Sequence, residues 1–323
     1  MSEKDIKENV EEVKENEEVQ ETPNNVEDKP YQQVIEDARK DLYNSYTTSR
    51  KISNIIMFVV VAAIVGIVFM VTANNNILKI VGYSLAGAIL IGMVLYYVLS
   101  RKKFPEKTKT YVALVADTIN GRIFSRQGFK DIQSDKEEKF QLDDLVGDGV
   151  YNNVTGINSR NIVRGSYKGH HFLYGEVALL RPAQKKQQVP PLFVGRYVSM
   201  PNQLKFDGRI IITIKNEKEP LDLPNAIDDL VVLEEKNEWV VYGKEGTDYH
   251  ALIDNKIISK IKKLEIGNHL LNVNVVFWGG HTAVYLSYDD TIMSVPFDKP
   301  FDHTAFEKSF ADLQICFDAI AEE

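Results

Sequence analysis

The chain has 323 residues, a formal net charge of −8, 44% apolar residues and one cysteine, Cys316. The acidic balance excludes broad nucleic-acid binding, which needs a basic footprint. A single cysteine excludes an intramolecular disulfide and a cysteine-based zinc site.

Residues 1–30 are rich in Glu, Lys and Asn and contain no aromatic residue. Such a segment buries too little apolar surface to offset its ordering entropy, so a disordered acidic tail is expected. It lacks the basic start and apolar core of a signal peptide. Residues 31–51 predict a juxtamembrane helix, with Val34, Ala38, Leu42 and Tyr46 forming one stripe.

Residues 52–100 read as a transmembrane helical hairpin, with spans at about 54–73 and 79–99. The runs "IIMFVVVAAIVGIVFMVTA" and "IVGYSLAGAILIGMVLYYVL" carry no charge. Buried core helices of that length show a polar face, and these do not. Ala62/Gly66, Gly82/Ala86 and Ala88/Gly92 place small residues four apart, a spacing that lets helices approach closely in lipid. The connection Asn74–Lys79 is too short for anything but an antiparallel pair. Arg39, Lys40, Arg50 and Lys51 precede the first span, and Arg101, Lys102, Lys103, Lys107 and Lys109 follow the second. The connecting loop holds only Lys79, so both termini are expected in the cytoplasm, on the cell (inner) membrane. So small an outer surface argues against a receptor for external ligands. Neither span carries an ionisable relay.

Residues 101–323 form a cytoplasmic domain of α+β class with a mostly antiparallel sheet. A helix is expected over 107–119. "SDKEEK" and "QKKQQVPP" read as exposed loops. Strands are expected at 162–166, 170–180, 192–199, 209–215, 230–233 and 238–242, with turns at Asp148-Gly149, Lys168-Gly169 and Asp207-Gly208. Residues 247–264 predict a helix capped by Thr247, with lysines crowding its C-terminal half. Residues 271–278 and 281–288 flank Gly279-Gly280 as a hairpin. Asp289-Asp290 is then expected to turn into a third strand, 291–297. The last helix is marked by Phe306, Phe310, Leu313, Phe317 and Ile320, with Thr304 and Glu307 as a capping box. Cys316 lies near that stripe and reads as a packed, inert thiol.

"GHHFLYGE", residues 169–176, is the one stretch that resembles chemistry. On a strand, neighbouring side chains face opposite ways. His170 then faces with Phe172, Tyr174 and Glu176, while His171 faces with Leu173 and Val177. The two histidines cannot close on one metal, and His170 lies roughly 20 Å from Glu176. The remaining histidines show no ligand spacing. No phosphate-binding loop, nucleophile elbow, HExxH or EF-hand motif occurs. Asp289-Asp290 reads as a turn. Asn153-Val154-Thr155 fits the glycosylation pattern but falls on the cytoplasmic side. The lysines of 256–263 read as a solvated face, with contact to anionic lipid as the alternative.

Four stretches carry a resemblance: "GDGVYNNVTGINSRNIVRGSYKGHHFLYGEVALL", "PLFVGRYVSMPNQLKFDGRIIITIKN", "EWVVYGKEGTDYHALIDNKIISKIKKLE" and "VNVVFWGGHTAVYLSYDDTIMSVPF". With the hairpin before them, the chain resembles the bacterial membrane-protein family termed domain of unknown function 3137. The resemblance implies a membrane hairpin and a cytoplasmic mixed domain, and carries no catalytic residue.

Three functional readings follow. The first is a membrane-anchored interaction or regulatory module. The second is a membrane-bound enzyme whose site assembles only in the fold, with His170, Glu176, His281 and Asp289 as the residues to test. The third is a structural subunit of a membrane complex. Expected partners are the lipid bilayer and a protein, or a second copy through the hairpin. Nothing in the sequence identifies a cofactor, metal, nucleic acid or small-molecule ligand.

Overall fold

The computed structural model describes residues 30–72, 75–135, 138–141, 145, 149–151, 154–182, 189–202, 208–214, 230–237, 239–250, 256–278 and 280–321. The acidic tail before Pro30 lies outside these residues. So do Asp148, Asn153, Asp207, Gly279 and most of "QKKQQVPP".

The two apolar runs lie on two long helices, α1 (Tyr31–Thr72) and α2 (Asn76–Phe124). The expected juxtamembrane helix is not separate, because α1 continues through residues 50–55 without a break. Residues 107–119 likewise extend α2, which passes through Pro105. Proline removes one backbone bond there. Burial of Tyr111, Val115, Ile119, Ile123 and Phe124 beyond it offsets that loss. Asn75 caps α2, its side chain accepting from the Ile77 N–H.

The apolar halves of both helices face outward. Phe58 is 76% exposed and Phe69 79%. Both helices are long and apolar enough to cross a membrane. An exposed apolar surface of this extent needs a cover. Of the small-residue pairs, Gly82 marks the close approach, since a Cβ there would lie 3.2 Å from the Met70 Cβ. Gly66 and Gly92 meet nothing within 4 Å.

The described residues of the remaining chain build one nine-stranded antiparallel sheet: β1 (Phe129–Asp135), β2 (Gly156–Tyr167), β3 (His170–Leu180), β4 (Phe193–Pro201), β5 (Arg209–Ile214), β6 (Leu230–Glu235), β7 (Trp239–Lys244), β8 (Leu270–Trp278) and β9 (His281–Tyr288). Its order is β1-β2-β3-β4-β9-β8-β5-β7-β6. The C-terminal hairpin therefore enters the middle of the sheet, joining β4 to β5. Alternation divides the core. Phe172, Tyr174, Val198, Val284 and Leu286 pack towards the helices. Val177, Leu179, Phe193, Tyr197 and Tyr285 pack on the opposite face, under Phe140, Leu145 and Val150.

Several short expectations are refined. β1 covers Phe129–Asp135, so "SDKEEK" begins inside a strand. The helix expected over 247–264 is seen at His250, whose N–H donates to Asp248 Oδ1, and as α3 (Lys256–Ile261), while residues 247–249 are irregular and residues 251–255 lie outside the described ones. Residues 291–297 form no third strand, because α4 (Asp290–Ser294) starts directly after β9. Asp289 caps this turn, its Oδ1 accepting from the Ile292 N–H. The last helix, α5 (His303–Ile320), buries the expected stripe with Cys316. Its cap is Asp302, accepting from the Ala305 N–H, in place of Thr304 and Glu307.

Residues 289–302 strap the helices to the sheet. Tyr111 donates to the Val295 carbonyl at 3.3 Å, and Arg39 Nη1 to the Phe297 carbonyl at 3.0 Å. The Phe301 N–H donates to Glu36 at 3.2 Å. Val295 holds φ at 43°, a costly conformation for a β-branched residue. This explains why Arg39 is buried within the stripe of α1, between Ile35 and Leu42.

Candidate functional site

The most polar interior lies where β2, β3 and β4 pass beneath α2, α4 and α5. Arg160 pairs with Glu176 and Val163 with Tyr174, so Asn161 and Ile162 both oppose Gly175. This is a bulge, which re-aims side chains and increases local twist. Asn161 adopts φ 56° within it. Gly175 allows the bulge to close, since a Cβ would lie 3.1 Å from Phe140 Cζ and 3.4 Å from Ile162 Cγ1.

The bulge brings Asn161 and Arg160 onto one carboxylate. Glu176 Oε2 accepts from Arg160 Nε at 2.7 Å and from Asn161 Nδ2 at 2.9 Å. Arg160 Nη2 also donates to the Met293 carbonyl on α4. Directly opposite Glu176 on β4 stands Arg196, which is completely buried. Arg196 Nη1 donates to the Ser309 carbonyl and hydroxyl, and its guanidinium lies over the rings of Tyr288 and Phe310. Among the described residues, its Nε and Nη2 have no hydrogen-bond partner. A buried cation with unsatisfied donors is costly without a nearby anion. Glu176, itself 6% exposed, supplies one.

Asp312 on α5 supplies another carboxyl to this layer, with the Tyr288 hydroxyl donating to it at 3.5 Å. Burial pushes Asp312 up to about 6, from 3.8. The folded state then binds this proton more tightly than the unfolded chain does. That contribution is fully present below about pH 4 and is lost as pH rises through about 6. The Tm advantage of Asp312→Asn over wild type should be absent near pH 4 and grow towards pH 7. The fluorescence of Trp239 and Trp278, both on sheet strands, reads this out. A pH-independent difference would show that the carboxyl is solvated.

Arg160 borders three hollows. One is a gap of about 20 Å³ between α2, α4 and Glu176. The second, of about 320 Å³, lies towards Asn158, Ala178 and Val194. The third is a groove of about 300 Å³ between α2 and the β1–β2 edge. Its floor is Val112, Ala113 and Ala116, with Asn120 on one wall and Ser134 and Asn161 on the other. Asn120 is 9% exposed, and its buried Oδ1 has no hydrogen-bond partner among the described residues.

The four sequence candidates occupy separate positions. His170 sits at the β2–β3 turn, opposite Tyr167. His281 sits at the β8–β9 turn, opposite Trp278, with the two rings 5.5 Å apart. These histidines share one end of the sheet but stand two strands apart, roughly 10 Å. Asp289 Oδ2 lies 2.8 Å from His269 Nδ1. Only Glu176 reaches the polar layer. Among the described residues, no group of three or more His, Cys, Asp or Glu is placed to hold a metal ion. Sequence reasoning passed over Arg160, Asn161, Arg196 and Asn120. Arg196 had a readable signal, a charge in the middle of the otherwise apolar strand "FVGRYVSM".

These features define an α+β protein with two helices of membrane-spanning length. No family model matches the chain, and no curated protein sequence does. Among solved structures it is similar to the mycobacterial trehalose monomycolate transport factor A, TtfA. That likeness has 12% identity and a TM-score of 0.32, covering 63% of this chain and 93% of the other.

Proposed function

We propose that the chain is a membrane-anchored interaction or regulatory module of the cytoplasmic face of the cell membrane. A two-span hairpin holds it there, with both termini on that face. The continuity of the helices carries this reading. α2 runs from an exposed apolar segment directly into the core of the sheet domain, where Tyr111, Val115 and Ile119 are buried. α1 joins it, with the Tyr31 hydroxyl donating to Glu307 on α5 at 2.8 Å. A helical connection transmits tilt or rotation, whereas a flexible linker does not. The basic residues flanking the hairpin set the orientation. Kinship with the membrane family of the four resembling stretches belongs to the same proposal.

The test has two parts. A reporter fused after Glu323 should be active only as a cytoplasmic fusion, and an externally active fusion overturns the orientation. Crosslinking in intact membranes should recover a reproducible protein partner that is lost on deletion of residues 104–323. Recovery of abundant membrane proteins alone ends the module reading.

A further inference from the structure

Both ends of the strap meet at one imidazole. His269 immediately precedes β8, and its carbonyl accepts from the Asp289 N–H at 3.1 Å. Asp289 opens the strap and Asp302 closes it. Each carboxylate divides its two oxygens. Asp289 Oδ1 accepts from the Ile292 N–H and Asp302 Oδ1 from the Ala305 N–H, so each caps the helix that follows it. The second oxygens face the His269 ring. Asp289 Oδ2 lies 2.8 Å from Nδ1, and Asp302 Oδ2 lies 4.0 Å from Nε2.

The two distances differ for a chemical reason. An ionised carboxylate only accepts, so the short contact places a proton on Nδ1. A neutral imidazole then presents a lone pair at Nε2, which repels the second carboxylate. The 4.0 Å separation is beyond hydrogen-bond reach. An imidazolium carries protons on both nitrogens and donates to both carboxylates. Histidine is the residue type whose charge ordinarily changes between about pH 5 and 8.

Closing the second contact draws the end of the strap towards its start. Between those ends lie the groups that hold the membrane helices: the Val295 carbonyl for Tyr111, the Phe297 carbonyl for Arg39, and the Phe301 N–H for Glu36. The other charged groups of these elements are engaged or solvated. Arg39 and Glu36 pair on α1, and Lys308 on α5 is held by Glu265 at 2.9 Å. Asp298 and Lys299 in the strap and His303 beside Asp302 are exposed. Asp312, buried on α5, titrates near the same range and needs its own control.

We infer that His269 is a proton-operated clasp: as the imidazole it ties Asp289 alone, and as the imidazolium it ties Asp289 to Asp302 and tightens the strap on α1 and α2. The clasp stands on the geometry of the strap. Its use as a regulatory input rests on the reading of the chain as a module.

The test is hydrogen–deuterium exchange of the full chain in lipid nanodiscs, corrected for the intrinsic effect of pH. The Ile292, Met293 and Phe301 amides report the strap, since they bond to Asp289 and Glu36. Their protection should rise about threefold from about pH 8 to about pH 5, the size of one partly exposed charge-assisted hydrogen bond. His269→Gln, which cannot ionise, should remove the rise. So should Asp302→Asn, which keeps the cap but not the charge. Asp312→Asn and His303→Gln should retain it. A flat wild type, a rise that survives in His269→Gln, or one lost in Asp312→Asn or His303→Gln overturns the inference. Nitrogen-15 NMR of histidine-labelled wild type tests the same step without a substitution. One ring should carry its proton on Nδ1 near pH 8 and on both nitrogens near pH 5, and the absence of any such ring overturns the clasp. A strap that responds to pH with no partner recovered from membranes ends the module reading alone. A recovered partner with an unresponsive strap ends the clasp alone.

Discussion

Gly195→Ala is expected to prevent the sheet domain from folding. Gly195 on β4 opposes Val177 on β3 and Ser287 on β9, in the interior of the sheet. A Cβ there would drive into the Leu286 carbonyl and lie 2.7 Å from Phe193 Cζ. The ring could turn aside, but the carbonyl belongs to the ladder that joins the C-terminal hairpin to the N-terminal strands. Relief requires β4 and β9 to part, with loss of packing on both faces. The expected cost is about 4 kcal/mol or more, at the upper end of single substitutions. Full-length protein in nanodiscs, monitored through Trp239 and Trp278, should show no cooperative transition at temperatures where wild type is folded. A variant that melts within about 2 °C of wild type, corresponding to under 1 kcal/mol for a domain of this size, would refute the clash.

Glu176→Gln is expected to have the second largest effect. The substitution keeps shape and hydrogen-bonding capacity but removes the anion between Arg160 and Arg196. Arg196 is fully buried and, among the described residues, has two nitrogens without partners, so it loses the carboxylate that stands directly opposite it on β3. Leaving a buried charge less compensated costs about 3 kcal/mol. For a domain of this size that is a fall in Tm of about 6–12 °C. Arg160→Met should cost less, because Arg160 is half exposed and its charge is partly served by water. Equal effects of the two substitutions would show that Glu176 acts only through Arg160, and that Arg196 does not depend on it.

Several elements were readable because their signals are local. The hydrophobic runs of α1 and α2 are continuous and uncharged, and their period needs no partner to be read. The stripe Phe306–Phe310–Leu313–Phe317–Ile320 is buried as its spacing predicts, and alternation in "HHFLYGEVALL" sorts Phe172 and Tyr174 from Val177 and Leu179. Boundaries were less readable. The juxtamembrane helix was expected to end at residue 51, and α1 instead continues to Thr72. Thr247 and Thr304 offered plausible caps, but the chain entered its helices elsewhere, from Asp302 in the second case.

The polar layer was hidden for a different reason. Arg160 and Glu176 lie 16 positions apart, and Arg196 lies 20 beyond Glu176. Their alignment depends on strand register. In β2 the bulge opposite Gly175 shifts that register by one residue, which reverses the face of everything beyond it. A sequence pattern cannot show an inserted residue whose partner is unknown.

The sequence by itself determined the elements and their apolar faces: two helices of membrane length, an alternating sheet and an amphipathic last helix. These depend on periodicity and on composition within a few residues. The tertiary structure alone decided the insertion of β9 beside β4, the meeting of Arg160, Glu176 and Arg196, and the groove against α2. Each of these brings together residues distant in the chain, and only the packing of one element on another fixes their distances.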